Sequence, residues 1–235
     1  MDLFKKIENN FIRLFFSNLT LTFKKNFSSS RSLYLLILLP QFIFGLDDFD
    51  SWSSVSFNKK FPYSFSISFK QGLRLKEQFS AFKQTHSEVS IAYKLLDNLK
   101  IEIPYRYTLY KNKVKQRLSL SGFQKYKIMP FSLKHRVKYQ WTFEEKEPSE
   151  GLIRNKFYIL YKFKKRVEPF ISGEIFHFHQ MEKYQFDELR LSLGLGIDFS
   201  KKQSLKISYT LKSEDLSKDN PDLINIFLIA YSFRL

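Results

Sequence analysis

Most of this chain alternates apolar and polar residues with period two, and the last such stretch ends at its final residue. There Phe227, Ile229, Tyr231, Phe233 and Leu235 share one face, while Leu228, Ala230, Ser232 and Arg234 share the other. A period of two sends successive side chains to opposite faces of a strand. A carboxy-terminal strand with an aromatic-rich face is what a membrane β-barrel needs in order to insert and close.

The alternation can be followed from Trp52 onward. Tyr63, Phe65, Ile67 and Phe69 stand opposite Ser64, Ser66, Ser68 and Lys70. Leu99, Ile101, Ile103, Tyr105 and Tyr107 oppose Lys100, Glu102, Arg106 and Thr108. Leu189, Leu191, Leu193 and Leu195 oppose Glu188, Arg190, Ser192 and Gly194. Helical periodicity does not interrupt this body, and turn signals recur regularly, as in an antiparallel meander. The stretches run to roughly 10 to 14 residues, longer than the usual soluble strand of about 5 to 6 and long enough for a tilted membrane span of about 9 to 11. Turn lengths alternate, with Asp97-Asn98 and Ser200 to Gln203 short, and Gln78 to Gln84, Gln180 to Asp187 and Ser213 to Asp222 longer; the short set is expected to be periplasmic. Counting gives about 11 strands, and because bacterial barrels are even-numbered the expectation is 10–12, with 12 preferred and both termini periplasmic.

Composition agrees. The chain has 27 Phe and 13 Tyr against 2 Trp, which suits a lipid-facing band with interfacial rings. Mean hydropathy is nevertheless negative, which excludes a polytopic helical membrane protein but not a barrel, whose apolar residues are diluted by alternation. Without cysteine there are no disulfides, thiolate zinc sites or lipidated amino-terminal Cys. A net charge of +16 attracts polyanions such as lipopolysaccharide. Nucleic acid is not expected as a partner, because the basic residues follow the strand period along the whole chain instead of forming one stripe.

Residues 1–45 read as a leader. Leu33 to Leu39 and Phe42 to Phe44 form a short apolar run behind Lys24, Lys25 and Arg31, ending at Gly45. It falls short of the roughly 20 residues of a transmembrane helix and resembles a signal peptide cleaved near Gly45. Residues 1–30 make the leader unusually long, or mark a start site upstream of the true one. The expected fold of residues 46–235 is all-β, a single antiparallel up-and-down transmembrane barrel.

Several landmarks on these strands carry a family resemblance. They are Trp52, Arg74, Tyr105-Arg106-Tyr107, His135-Arg136, Arg154, Glu174 before Phe176, and Arg190 in the Leu- and Gly-rich strand. In this order they resemble the uncharacterised outer-membrane β-barrel family called domain of unknown function 2490. The resemblance implies one barrel in a bacterial outer membrane and brings no catalytic residues.

Arg74, Glu88, Glu102, Arg106, Arg136, Arg154, Glu174 and Arg190 all fall on the face opposite the greasy one. In a small barrel such side chains fill the lumen. They would pair as a salt-bridged plug, or form a basic constriction that selects small anions. His86, Ser87 and Glu88 are adjacent, but consecutive strand residues face opposite ways, so they do not make a triad. His177 and His179 share a face without an evident third metal ligand. No phosphate loop, paired-Cys site or G-x-S-x-G elbow occurs, and no cofactor or metal is expected.

The sequence therefore points to a non-enzymatic structural or small-pore barrel with a basic, salt-bridged lumen. The expected partners are outer-membrane lipid and lipopolysaccharide, the barrel-assembly machinery through residues 225–235, and small anions. One alternative is an outer-membrane lipid-modifying hydrolase or acyltransferase. Another is a secreted soluble barrel around an apolar ligand, which requires Phe65, Ile67, Leu191 and Leu193 to face inward.

Overall fold

A computed structural model describes residues 49–235, apart from 78, 146, 163–165, 181, 182, 217 and 219. The leader expected over residues 1–45 lies outside the described residues. The described chain is all strand and turn. In order come β1 (Phe49–Lys60), β2 (Phe65–Lys76), β3 (Ala81–Leu96), β4 (Leu99–Tyr110), β5 (Val114–Ile128) and β6 (Phe131–Glu144). They are followed by β7 (Glu150–Tyr161), β8 (Val167–Gln180), β9 (Lys183–Asp198), β10 (Gln203–Glu214) and β11 (Asp222–Arg234).

Each strand pairs antiparallel with the next, and the ring closes between β1 and β11. The closing pair is parallel, running from Phe49 opposite Asn225 to Asn58 opposite Arg234. The closed sheet thus has 11 strands among the described residues, inside the expected range but one short of the preferred 12. An odd count has a geometric consequence. β1 starts at the rim opposite to the one where β11 ends, so these two ends of the described chain do not share a side, contrary to the expectation for the termini.

Parity decides what faces where. From Ser53 in β1, from Thr85 in β3 and along β4, odd-numbered residues point outward, so Val55, Phe57, Val89, Ile91, Ile103 and Tyr105 are exposed. The outer surface continues through Phe131, Val137, Trp141, Phe157, Ile159 and Leu193. So broad an apolar exterior is suited to hydrocarbon, not water. Phe57 and Phe233 stack across the parallel seam with centroids 5.2 Å apart. Phe65, Ile67 and Leu193 belong to this exterior, and Leu191 shares their parity, so the alternative that needs them inside is overturned.

The strands are longer than the alternation indicates, because the ladders run on into segments that read as loops. The sequence predicts a long loop over residues 78–84; β3 instead begins at Ala81, with β2 ending at Lys76. The β8–β9 ladder likewise continues to Gln180 opposite Lys183. Around Leu118 and Leu120, where the alternation is short, the chain forms a full strand, β5, whose inward residues include Ser119 and Ser121. At the other extreme, Tyr63 and Ser64 leave the strand pattern and turn the chain with φ of 59° and 67°.

Three register slips interrupt the ladders among the described residues, one of them leaving Leu95 over at the β3–β4 turn, and the other two adjust the aim of inward side chains. The ladder between β2 and β3 slips after Arg74, leaving Lys83 as the extra residue. Lys83 reaches the buried Asp50 at 2.7 Å. Between β8 and β9 the slip after Phe176 leaves Asp187 over, which keeps Glu188 inward and Phe186 outward. Bulges re-aim side chains in this way without ending the sheet.

Candidate functional site: the charged lumen

The inward face concentrates charge in rows set by the register. One row crosses five strands as direct ladder partners: Arg136, Lys156, Glu174, Arg190 and Lys212. A single carboxylate therefore stands among four cations. Glu174 is 1% exposed. It accepts from Arg136 at 2.5 Å and Arg154 at 2.7 Å, and its second oxygen lies 3.2 Å from the Lys156 ammonium. Like charges opposite one another on a sheet repel, and this row is tolerable because Arg136 and Lys156 share Glu174 while Arg190 and Lys212 turn to Glu188.

A second row runs through Lys70, Glu88, Arg106 and Arg117. Arg106 binds Glu88 at 2.6 Å, and Arg117 donates to Thr142 at 3.2 Å. Farther around the ring, Glu188 pairs with Arg190 and lies 3.8 Å from Lys212, which also pairs with Glu214.

All eight residues expected in the lumen point into it, but they are not one network. Arg136, Arg154 and Glu174 form one cluster, and Glu88 with Arg106 forms another. Arg190 sits opposite Glu174 in the ladder yet bonds Glu188, two residues away on its own strand. Glu102 pairs at 2.6 Å with Lys100, partly in solvent. Arg74 finds an aromatic partner, its guanidinium 3.8 Å from the Trp52 ring centroid. Arg154 and Arg190 approach the Phe176 ring at 4.4 and 4.5 Å. Planar guanidinium groups suit such faces when carboxylates are scarce.

Sequence reasoning missed the lysines and the rings. Lys70, Lys138 and Lys206 face inward and form no ion pair among the described residues. Lys206 instead lies 4.2 Å from the Phe170 centroid and 5.2 Å from that of Tyr158. Strand parity places all three on the inward face, and that was the signal available.

The lumen is lopsided. Near the rim where β11 ends, β1 and β2 bring Ser54, Ser56, Ser66 and Ser68, and β9 brings Gly194 and Gly196, all half-exposed. Across from them, β6 to β8 carry the packed charge cluster around Glu174. Where the small-residue wall meets that cluster, Trp52, Phe170, Ser172, Arg190 and Lys206 border a cavity of about 50 Å³.

No histidine is organised for catalysis or metal binding among the described residues. His86 is buried with neither ring nitrogen hydrogen-bonded. Ser87 points the other way and donates to Gln71 at 2.6 Å. His177 packs against Phe186 with centroids 4.3 Å apart. No group of three metal-ligating side chains is found among the described residues.

A closed sheet with an apolar outside and a charged inside is the fold of an outer-membrane β-barrel. The chain belongs to the family described as Protein of unknown function (DUF2490), whose model matches residues 49–222. Its structure is similar to that of the NanC porin, at 12% identity and a TM-score of 0.51, covering 80% of this chain and 99% of that one. It is also similar to the KdgM porin, at 15% identity and a TM-score of 0.44, covering 70% and 89%. A third is an anion-selective porin from Comamonas acidovorans, at 9% identity and 0.40, covering 74% and 54%. No curated protein matches the sequence. At 12% identity the likeness to NanC speaks for the fold alone.

Proposed function

We propose that this protein is a non-enzymatic barrel of the bacterial outer membrane whose basic, cross-linked lumen serves as a narrow path for small anions. The observation that carries this reading is the surplus of inward cations over carboxylates, with Lys70, Lys138 and Lys206 left without an ion-pair partner among the described residues. A buried surplus of one sign favours solutes of the other, as rings of charge do in pores. That the structurally similar NanC is a porin supports the assignment.

In this reading residues 1–45 act as the export leader and are removed. The exposed rings and branched aliphatics contact lipid and lipopolysaccharide. The terminal strand, with Phe227, Ile229, Tyr231 and Phe233 on its outer side, is what the barrel-assembly machinery reads. The eight lumen charges named from the sequence have positioning roles, bracing the wall and setting its potential.

The test is conductance in planar bilayers under a potassium chloride gradient. The expected result is a small conductance whose reversal potential favours chloride. Bilayers that stay insulating at every protein level would remove the pore and leave a structural barrel.

A further inference from the structure

Five inward side chains form one continuous stack of guanidinium and ring faces. Arg74 and Trp52 are ladder partners on β2 and β1, and Arg154 and Phe176 are partners on β7 and β8. The Arg74 guanidinium lies 3.8 Å from the Trp52 ring centroid, and that of Arg154 lies 4.4 Å from the Phe176 centroid. Arg190 of β9 joins the two pairs, 5.0 Å from Trp52 and 4.5 Å from Phe176. Its contact with Trp52 skips β10 and β11, which separate β9 from β1 in the ring. A contact between strands that are not neighbours is a chord through the lumen, not part of its wall. The cavity of about 50 Å³ beside Trp52 and Arg190 is bordered also by Ser208, Thr210 and Leu228 of the skipped strands, so only a small gap separates the chord from them.

The lumen changes character at this chord. On β1, Ser54 and Ser56 are half-exposed on one side of Trp52, whereas Asp50 on the other side is buried. On β9, Gly194 and Gly196 are half-exposed, whereas Glu188, on the far side of Arg190, is buried. The cations of the stack also differ. Arg154 is held by Glu174 and Arg190 by Glu188, but Arg74 has no ion-pair partner among the described residues. A ring covers only a face of a guanidinium and leaves N–H edges that can donate to a passing anion.

We propose that the Arg74–Trp52–Arg190 stack is the constriction of the lumen, where Trp52 sets the width and Arg74 the preference for anions. The inference rests on the anion-path reading above and names the side chains that limit and select the flow.

Single-channel conductance and reversal potential in planar bilayers under a potassium chloride gradient test it. Trp52→Ala cuts the chord and should raise the conductance severalfold, while Trp52→Phe keeps a ring and should stay near the unaltered protein. Arg74→Gln should move the reversal potential toward zero, because a ring of charge selects by its sign. Trp141→Ala, at the outward-facing tryptophan, should change neither quantity. If Trp52→Ala and Arg74→Gln channels match the unaltered ones in size and preference, the constriction is overturned and the pore stands. An insulating unaltered barrel beside a conducting Trp52→Ala barrel keeps the stack as a plug and loses the pore. If both insulate, both readings fall.

A second measurement keeps the test valid should Trp52→Ala fail to fold. Trp52 and Trp141 are the chain's two tryptophans, so Trp141→Phe leaves Trp52 as the reporter with the stack intact. Refolded in detergent, this variant should be quenched more strongly by iodide than by caesium, and adding Arg74→Gln should lower the iodide quenching by about twofold. Equal quenching by the two ions, or iodide quenching unchanged by Arg74→Gln, overturns the role of Arg74.

Discussion

Replacing Glu174 by Gln removes the one negative charge that holds Arg136, Arg154 and Lys156 together. The substitution nearly conserves volume, so the cost is electrostatic. Breaking a buried ion pair from one side costs about 3–5 kcal/mol, because the remaining charge is stranded away from water. Here three cations are stranded at once, at a site 1% exposed, so the upper part of that range is expected. With a urea dependence of roughly 2 kcal/mol per molar, the unfolding midpoint should fall by about 2 M. Tryptophan emission of the refolded barrel during urea titration in detergent measures it. Glu102→Gln is the internal control, since its Lys100 partner is partly in solvent and such a pair contributes under about 1 kcal/mol. Adding Arg154→Met to Glu174→Gln should recover part of the loss, because one stranded guanidinium is gone. If Glu174→Gln and Glu102→Gln shift the midpoint equally, Glu174 is not the hub of the lumen and the reasoning fails.

Four further outcomes are expected. A β-carbon on Gly194 would lie 2.5 Å from the Ile207 carbonyl oxygen, whereas one on Gly122 meets nothing within 4 Å, so Gly194→Ala should lower the melting temperature and Gly122→Ala should not. On Gly72 the β-carbon would lie 2.2 Å from the His86 ring, so Gly72→Ala should destabilise by about 1–3 kcal/mol and be partly rescued by His86→Ala, read by the same urea titration. Val55→Cys with Tyr231→Cys should cross-link under oxidation, being register partners across the parallel seam, while Val55→Cys with Phe227→Cys should not; the reverse pattern in a gel-shift assay would refute the 11-strand closure. In the turn after β3, the Lys94 ammonium hydrogen-bonds Asp97 and holds its carboxyl below the ordinary carboxylate value. That pairing is complete above the ordinary value and is lost as pH falls through the lowered one, so an NMR titration of Asp97 should move up toward the ordinary value in Lys94→Met.

Alternation divided the residues between two faces, and strand length, the make-up of the polar face and the apolar leader were needed beside it to read a membrane barrel with the charged face inward. Side-chain parity is a local property of a strand, which is why all eight predicted lumen charges, from Arg74 to Arg190, do point inside. Even the failure of a His86–Ser87 dyad followed from parity alone. What parity lacks is register, and register decides who meets whom. Nothing local says that Lys156 and Glu174 are opposite one another, or that Arg190 turns to Glu188. The unpartnered lysines were equally legible as inward residues, but their lack of partners is a long-range fact about β2, β6 and β10. Strand ends were misjudged where ladder hydrogen bonds carry pairing through polar stretches, as from Gln180 to Lys183. The parallel meeting of Phe49 with Asn225 joins residues far apart in sequence, and only the closed ring decides it. The greasy outside was thus written in the order of the residues, while the pairing of charges and the cavity at Trp52 arise only when the sheet curls and brings distant strands face to face.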